Sequence, residues 1–179
     1  MRNCLLLLGA SAIIMSCNNG AAKTEAGNDT AVAKMDVALP YTASYSSSFE
    51  MGNADHSAMI LQGSWKDWEM NTLDNMKNWA ADTLTVYHSD NSMVKGIDSL
   101  AARWKRGRAK YSAVATTIDA VIPVHSKDKN ENWVLVWATE VDTNPDGKKD
   151  TAYVMETWRI NKDSKADLLY QFDRAPRKK

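Results

Sequence analysis

Four stretches in the last third of the chain alternate between two sets of side chains, and nothing else in the sequence limits the fold so strongly. They cover residues 112–124, 132–142, 151–160 and 166–173. A period of two with one apolar face marks a half-buried antiparallel strand. In the third stretch Ala152, Val154, Trp158 and Ile160 share a face with Glu156, opposite Tyr153, Met155, Thr157 and Arg159. In the fourth, Ala166, Leu168, Tyr170 and Phe172 are set against Asp167, Leu169, Gln171 and Asp173. The second, around Trp133 to Ala138, is apolar on both faces and reads as a central strand. The links between the strands are too short for helical crossovers, so the strands should follow one another as hairpins.

Helices precede this sheet. Asp55 or Ser57 is placed to cap a helix running to Asn71, with Leu61, Trp65 and Trp68 on its apolar face. Thr72 is placed to cap a second, short helix over 73–81, which Asp82-Thr83 breaks. A strand over 84–88 ends in the turn Ser89-Asp90-Asn91-Ser92. Gly96 leads a third helix over 97–110, with Asp98 in its first turn and basic residues at its end, as the helix dipole favours.

The N-terminus reads as a delivery signal. Arg2 is followed by an apolar run over 5–15, too short to span a bilayer and of the length of a signal-peptide core. The run ends at Ile14-Met15-Ser16-Cys17, which resembles the bacterial lipobox. That resemblance implies cleavage before Cys17, lipidation of its thiol and a place in the bacterial cell envelope. The plainer alternative is a secretory signal that happens to hold a cysteine. Asn18 follows the cysteine where some lipoproteins carry an inner-membrane retention Asp, which points to the outer membrane. The domain organisation expected is a signal peptide over 1–16, a lipidated tether over 17–52 and a folded domain over 53–175. Tyr41, Tyr45 and Phe49 give the end of the tether enough aromatic weight to dock on the domain.

Composition removes several functions. Charge is balanced at 22 basic against 22 acidic residues, so nucleic acid is not an expected partner. The only two cysteines, Cys4 and Cys17, stand in the N-terminal segment, which excludes a disulfide framework in the domain. No metal-ligand spacing and no glycine-rich phosphate loop is present, and no cofactor is expected. The run Asp142-Thr143-Asn144-Pro145-Asp146-Gly147, with Asp150 beyond it, is like the start of a calcium loop. Tyr153 stands where the bidentate acid belongs, and Asn-Pro-Asp-Gly is also a strong hairpin turn. Asp142, Asn144, Asp146 and Asp150 therefore remain only a weak candidate site.

The order helix, short helix, strand, helix and meander resembles the nuclear transport factor 2-like fold. Three stretches carry the likeness: Thr72-Leu73-Asp74 with Trp79-Ala80-Ala81-Asp82; Thr85-Val86-Tyr87-His88 with Gly96-Ile97-Asp98-Ser99-Leu100; and Met155 to Ile160. The resemblance implies an α+β domain, a cone-shaped curved antiparallel sheet covered by three N-terminal helices, with a hollow that holds a small apolar ligand. Relatives include SnoaL-like cyclases, isomerases and dehydratases. By the same resemblance, the isomerases' base falls on His88, their acid on Glu156 and their helix-one phenol on Ser64. All three depart from the isomerase residues, so steroid isomerisation is not expected.

The candidate site residues follow. His88 and Glu156 could act as base and acid, because a carboxyl on an apolar strand face should be pushed up by desolvation. The plainer reading leaves His88 at the sheet rim and Glu156 bonded to a backbone group. Ser64, Trp65, Trp68, Trp79, Trp104 and Trp158 are expected to line the pocket, although their spacing equally suits a core. The leading expectation is a membrane-tethered binding domain for a small apolar ligand. The rivals are an isomerase-, cyclase- or dehydratase-like enzyme using His88 and Glu156, and a scaffold that forms a homodimer through Tyr153 and Met155.

Overall fold

The computed structural model describes residues 40–174. Cys17 and the expected signal peptide lie outside them. The described chain begins its regular structure at β1 (Phe49–Met51), followed by helix α1 (Ala54–Ile60), a π-helical segment (Leu61–Trp65) and α2 (Lys66–Met70). A 3-10 turn over Leu73–Asn78 leads into β2 (Ala80–Tyr87), β3 (Met93–Lys95) and helix α3 (Ile97–Arg108). The long strands β4 (Ala113–Ser126), β5 (Glu131–Thr143), β6 (Lys149–Ile160) and β7 (Ala166–Arg174) complete the chain. All seven strands form one curved sheet in the order β1-β4-β5-β6-β7-β2-β3.

The hairpin meander from β4 to β7 stands as the alternation predicts. The sheet is nevertheless mixed, because β7 pairs with β2 in parallel. The long connection that parallel neighbours need runs from β2 through β3, helix α3 and strands β4 to β6. Strand β2 begins at Ala80, so Asp82 and Thr83 lie within it and break nothing. The expected second helix shrinks to the 3-10 turn, and Ala80 and Ala81 join the sheet instead. The cap of α1 is Asn53, whose side chain accepts from Asp55 N–H. Thr72 caps nothing and donates its hydroxyl to Asp67 Oδ1 at 2.8 Å.

One pairing shift overturns the expected faces of β7. Arg159 pairs with Leu168 but Ile160 pairs with Ala166, which leaves Asp167 as an extra residue. A bulge of one residue moves every later side chain to the other face. Leu169 is therefore fully buried, while Tyr170 and Phe172 point outward and are exposed. Gln171 faces inward, opposite Glu156 of β6.

The helical cover and the concave sheet face enclose one core, centred on Ile60, Leu73, Met76, Leu84, Leu100, Val134, Val136, Trp158 and Leu169. Trp79 is the keystone between helix and sheet: its ring stacks on Trp104 at 6.3 Å and meets Trp158 edge-on at 5.8 Å. Its indole N–H donates to Asp67 Oδ2 at 2.9 Å. On the outer face, the segment before β1 docks through Tyr45, while Tyr41 stays exposed. Tyr45 packs edge-on to Trp133 and donates its hydroxyl to Glu131.

Candidate functional site

The apolar floor of the sheet does not extend to its open end. On β5 the inward positions run Val134, Val136, Ala138, Glu140 and Asp142. The last two carry carboxyl groups into a cavity of about 640 Å³ between sheet and helices. Opposite them stand Glu156 of β6 and Gln171 of β7. From the helical side come Ser64 and Trp65, which sit in the π-helical segment, with Trp68 of α2 and Trp104 of α3. A π-helical turn carries an extra residue per turn and re-aims the side chains on it, a device common at functional sites. Ser64 and Trp65 are both buried there. His88, Arg103, Arg106, Lys110 and Asp173 complete the wall and mouth.

Glu156 is buried and its carboxyl is pushed up to about 7. Desolvation by burial is the cause, and hydrogen bonds from Trp158 and Gln171 oppose it in part. The Trp158 indole N–H donates to Oε2 at 2.9 Å, and the Gln171 amide N–H donates to Oε1 at 3.0 Å. The other face of the same amide meets His88: Gln171 Oε1 lies 3.2 Å from His88 Nδ1. A carbonyl oxygen only accepts, so His88 carries its hydrogen on Nδ1 in this arrangement. His88 Nε2 is then a bare acceptor, buried and without a partner.

Glu140 also lies well above the usual carboxylate range, first because it is desolvated and then because Asp142 is close. Asp142 is raised by burial as well, but a hydrogen bond from Glu140 holds it down. Both shifts favour the neutral carboxyl, and the closeness of the two groups opposes their ionising together. At the mouth, Arg103 is fixed by Asp90 at 3.2 Å and by the Ser92 hydroxyl at 2.9 Å.

The structure brings together His88, Glu156, Ser64, Trp65, Trp68 and Trp104 around one cavity. Trp79 and Trp158 do not line it; both are buried in the core beneath. His88 and Glu156 do not touch directly, since Gln171 stands between them. Asp142, Asn144, Asp146 and Asp150 do not converge. Asp142 faces the cavity, Asp146 pairs with Lys148, and Asp150 accepts from Asn144 at 2.9 Å. Among the described residues no three acidic, histidine or cysteine side chains gather as a metal site. The pocket is less apolar than expected, because Glu140, Asp142, Glu156 and Gln171 form its inner wall.

No family model matches the sequence, and no curated protein matches it. Solved structures do match the fold. A nuclear transport factor 2-like protein of unknown function from Burkholderia pseudomallei aligns at a TM-score of 0.54 and 16% identity, covering 68% of this chain and 91% of its own. The chain has the nuclear transport factor 2-like, or SnoaL-like, fold. Two further structures of this fold show its range. One is an epoxide hydrolase/cyclase-like enzyme of pyran ring formation in the polyether salinomycin, with a TM-score of 0.56 and 10% identity, covering 68% of this chain and 92% of that one. The other is a Mycobacterium tuberculosis protein in complex with estradiol-17β-hemisuccinate, with a TM-score of 0.53 and 14% identity, covering 65% and 92%. In this chain, the concave face of the fold carries the acid-lined cavity described above.

Glu140 and Gln171 are the site residues that sequence reasoning passed over. Glu140 stands in phase with Val134, Val136 and Ala138. The same alternation that exposed Glu156 would have found it. Gln171 gave no such signal, because the bulge at Asp167 reverses the phase.

Proposed function

We propose that this domain binds a small, largely apolar, oxygen-bearing molecule in the cavity and acts on it by proton transfer. One observation carries the reading: His88, whose buried Nε2 has no partner, lines the cavity that also holds two carboxyls biased toward the neutral form. His88 Nε2 is the base, taking a proton from a bound water, a hydroxyl or an acidic carbon. Neutral Glu140 is the acid, donating to the substrate oxygen that gains charge. A base and an acid held in opposite protonation states at one pH are what such chemistry needs. The cavity volume suits a ligand of drug or sterol size. Likeness of fold to an epoxide hydrolase/cyclase-like enzyme and to a steroid complex supports the ligand class by analogy only.

The test is native mass spectrometry of the protein with a panel of epoxides, enolisable ketones and sterols, followed by product analysis in heavy water. Retention of one class, with deuterium uptake or water addition lost in His88→Gln, supports the reading. Retention without any conversion reduces it to a binding domain. No retention and no conversion overturns it.

The lipobox-like Ile14-Met15-Ser16-Cys17 supports a lipid tether to the cell envelope. Among the described residues no helix is long and apolar enough to cross a membrane. Labelling with an alkyne-bearing fatty acid should mark the full chain and leave Cys17→Ser unmarked.

A second copy of this chain is the proposed cover for the outer sheet face. Tyr87 stacks on Tyr170 at 5.1 Å there, and Phe172 and Tyr153 are 58% and 44% exposed. A contiguous aromatic patch of this kind marks an interaction surface.

A further inference from the structure

The Gln171 side chain reaches both His88 and Glu156. Its amide lies 3.2 Å from His88 Nδ1 and 3.0 Å from Glu156 Oε1. A primary amide donates at one end and accepts at the other, so it transmits polarity. The second Glu156 oxygen already accepts from Trp158, which leaves Oε1 as the oxygen that gains or loses a proton.

We propose that Gln171 is a positioning residue that ties the proton on Glu156 to the tautomer of His88, so that Nε2 is an acceptor in one state and a donor in the other. This deepens the reading of the site given above. With Glu156 ionised, the amide N–H donates to Oε1 and the amide carbonyl accepts from His88 Nδ1–H. Nε2 is then a base. With Glu156 protonated, its Oε1–H donates to the amide carbonyl, and the amide turns over. The amide N–H now donates to bare Nδ1, and Nε2 carries the imidazole hydrogen.

Going from the first state to the second takes up one proton from solvent, which ends on Oε1. The imidazole stays neutral: it loses a hydrogen at Nδ1 and gains one at Nε2 by exchange with water. Within the Gln171 bridge every donor meets an acceptor in both states, which is what couples them. The charged groups that share the cavity with this relay are Glu140 and Asp142 of β5, Asp173 of β7, Arg103 and Arg106 of α3, and Lys110 just after it. Ionised Glu140 and Glu156 repel one another, so each works against ionisation of the other.

The test is nitrogen NMR of the full chain labelled at histidine, between about pH 5.5 and 8.5. The chain has three histidines, and the signals of His88 are those missing from His88→Gln. The expected result is an Nδ1–H tautomer at the alkaline end that gives way to an Nε2–H tautomer on acidification, at the midpoint of the Glu156 carboxyl carbon signal. Gln171→Met should remove the tautomer change and leave the carboxyl titration in place. Gln171→Asn, too short to span both partners, should do the same and serves if the Met variant fails to fold. A single tautomer throughout, direct conversion to imidazolium, or a coupled change that survives in a folded Gln171 variant overturns the proposal. The wild-type curve decides alone if neither variant folds. The readout needs no substrate, so its failure is separate from failure of the catalytic reading.

Discussion

Gly63 and Trp79 are in direct contact across the helix–sheet boundary: a Cβ added at Gly63 would stand 2.5 Å from Trp79 Cδ1. The ring cannot retreat, because Trp104 stacks on one side, Trp158 meets its edge, and Asp67 holds its N–H. Gly63→Ala should therefore destabilise the domain, despite the better helix propensity of Ala, by about 1–3 kcal/mol as overpacking does. Urea unfolding followed by tryptophan fluorescence measures it. A stabilised variant would mean that the helix shifts freely.

Asp67 has a wider reach than its place on a short helix indicates. It accepts from Thr72 Oγ1 at 2.8 Å, from Asn75 Nδ2 at 3.3 Å and from Trp79 Nε1 at 2.9 Å. Asp67→Ala strands a buried indole donor and frees the 3-10 turn, so it should cost about 2–4 kcal/mol. Asp67→Asn keeps one acceptor and should cost roughly half as much. Equal loss in both variants would show that charge, not hydrogen bonding, holds the turn.

Stability should fall as pH rises from about 4.5 to about 7. Glu156 is raised from 4.5 to about 7, so between those values the folded chain holds a proton that the unfolded chain has released. Its contribution is complete below the unfolded value and is lost on the way up to the folded one. A shift of this size amounts to roughly 3 kcal/mol. Glu156→Gln, neutral at every pH, should flatten that part of the curve. Chemical denaturation at a series of pH values tests it; equal slopes in both proteins would place the titration elsewhere.

Removing the aromatic outer face should change assembly and spare the site. Phe172→Ser and Tyr153→Ser remove exposed rings that point away from the cavity. Sedimentation should show a dimer for the parent protein and a monomer for the double variant. A parent that is monomeric at micromolar concentration removes the second copy from the account.

The four-strand meander was legible because period-two alternation is a direct print of a sheet with one buried face, and Glu156 was visible as the exception on it. Trp79 was misplaced for a different reason. An aromatic on the inner surface of such a fold looks the same in sequence whether it touches ligand or only other rings. The packing of Trp79 between Trp104 and Trp158 decides, and no local pattern encodes that. Ser64 and Trp65 were placed at the cavity through family likeness, while the π-helical turn that seats them has no sequence signature. Gln171 was lost to one extra residue, Asp167, which alternation cannot count.

The parallel pairing of β2 with β7 sets the order in which the protein can become competent. His88 follows β2, near the middle of the chain, yet its partner Gln171 lies 83 residues later in the final described strand. While that strand is still being made, β2 has β3 on one edge and nothing on the other. The helices, the hairpins and most of the core can form earlier, but the relay cannot. The imidazole therefore acquires its partner only once β7 has been made. The same arrangement makes a late stop codon more damaging than its position indicates, since loss of β7 would empty the centre of the sheet rather than trim its edge.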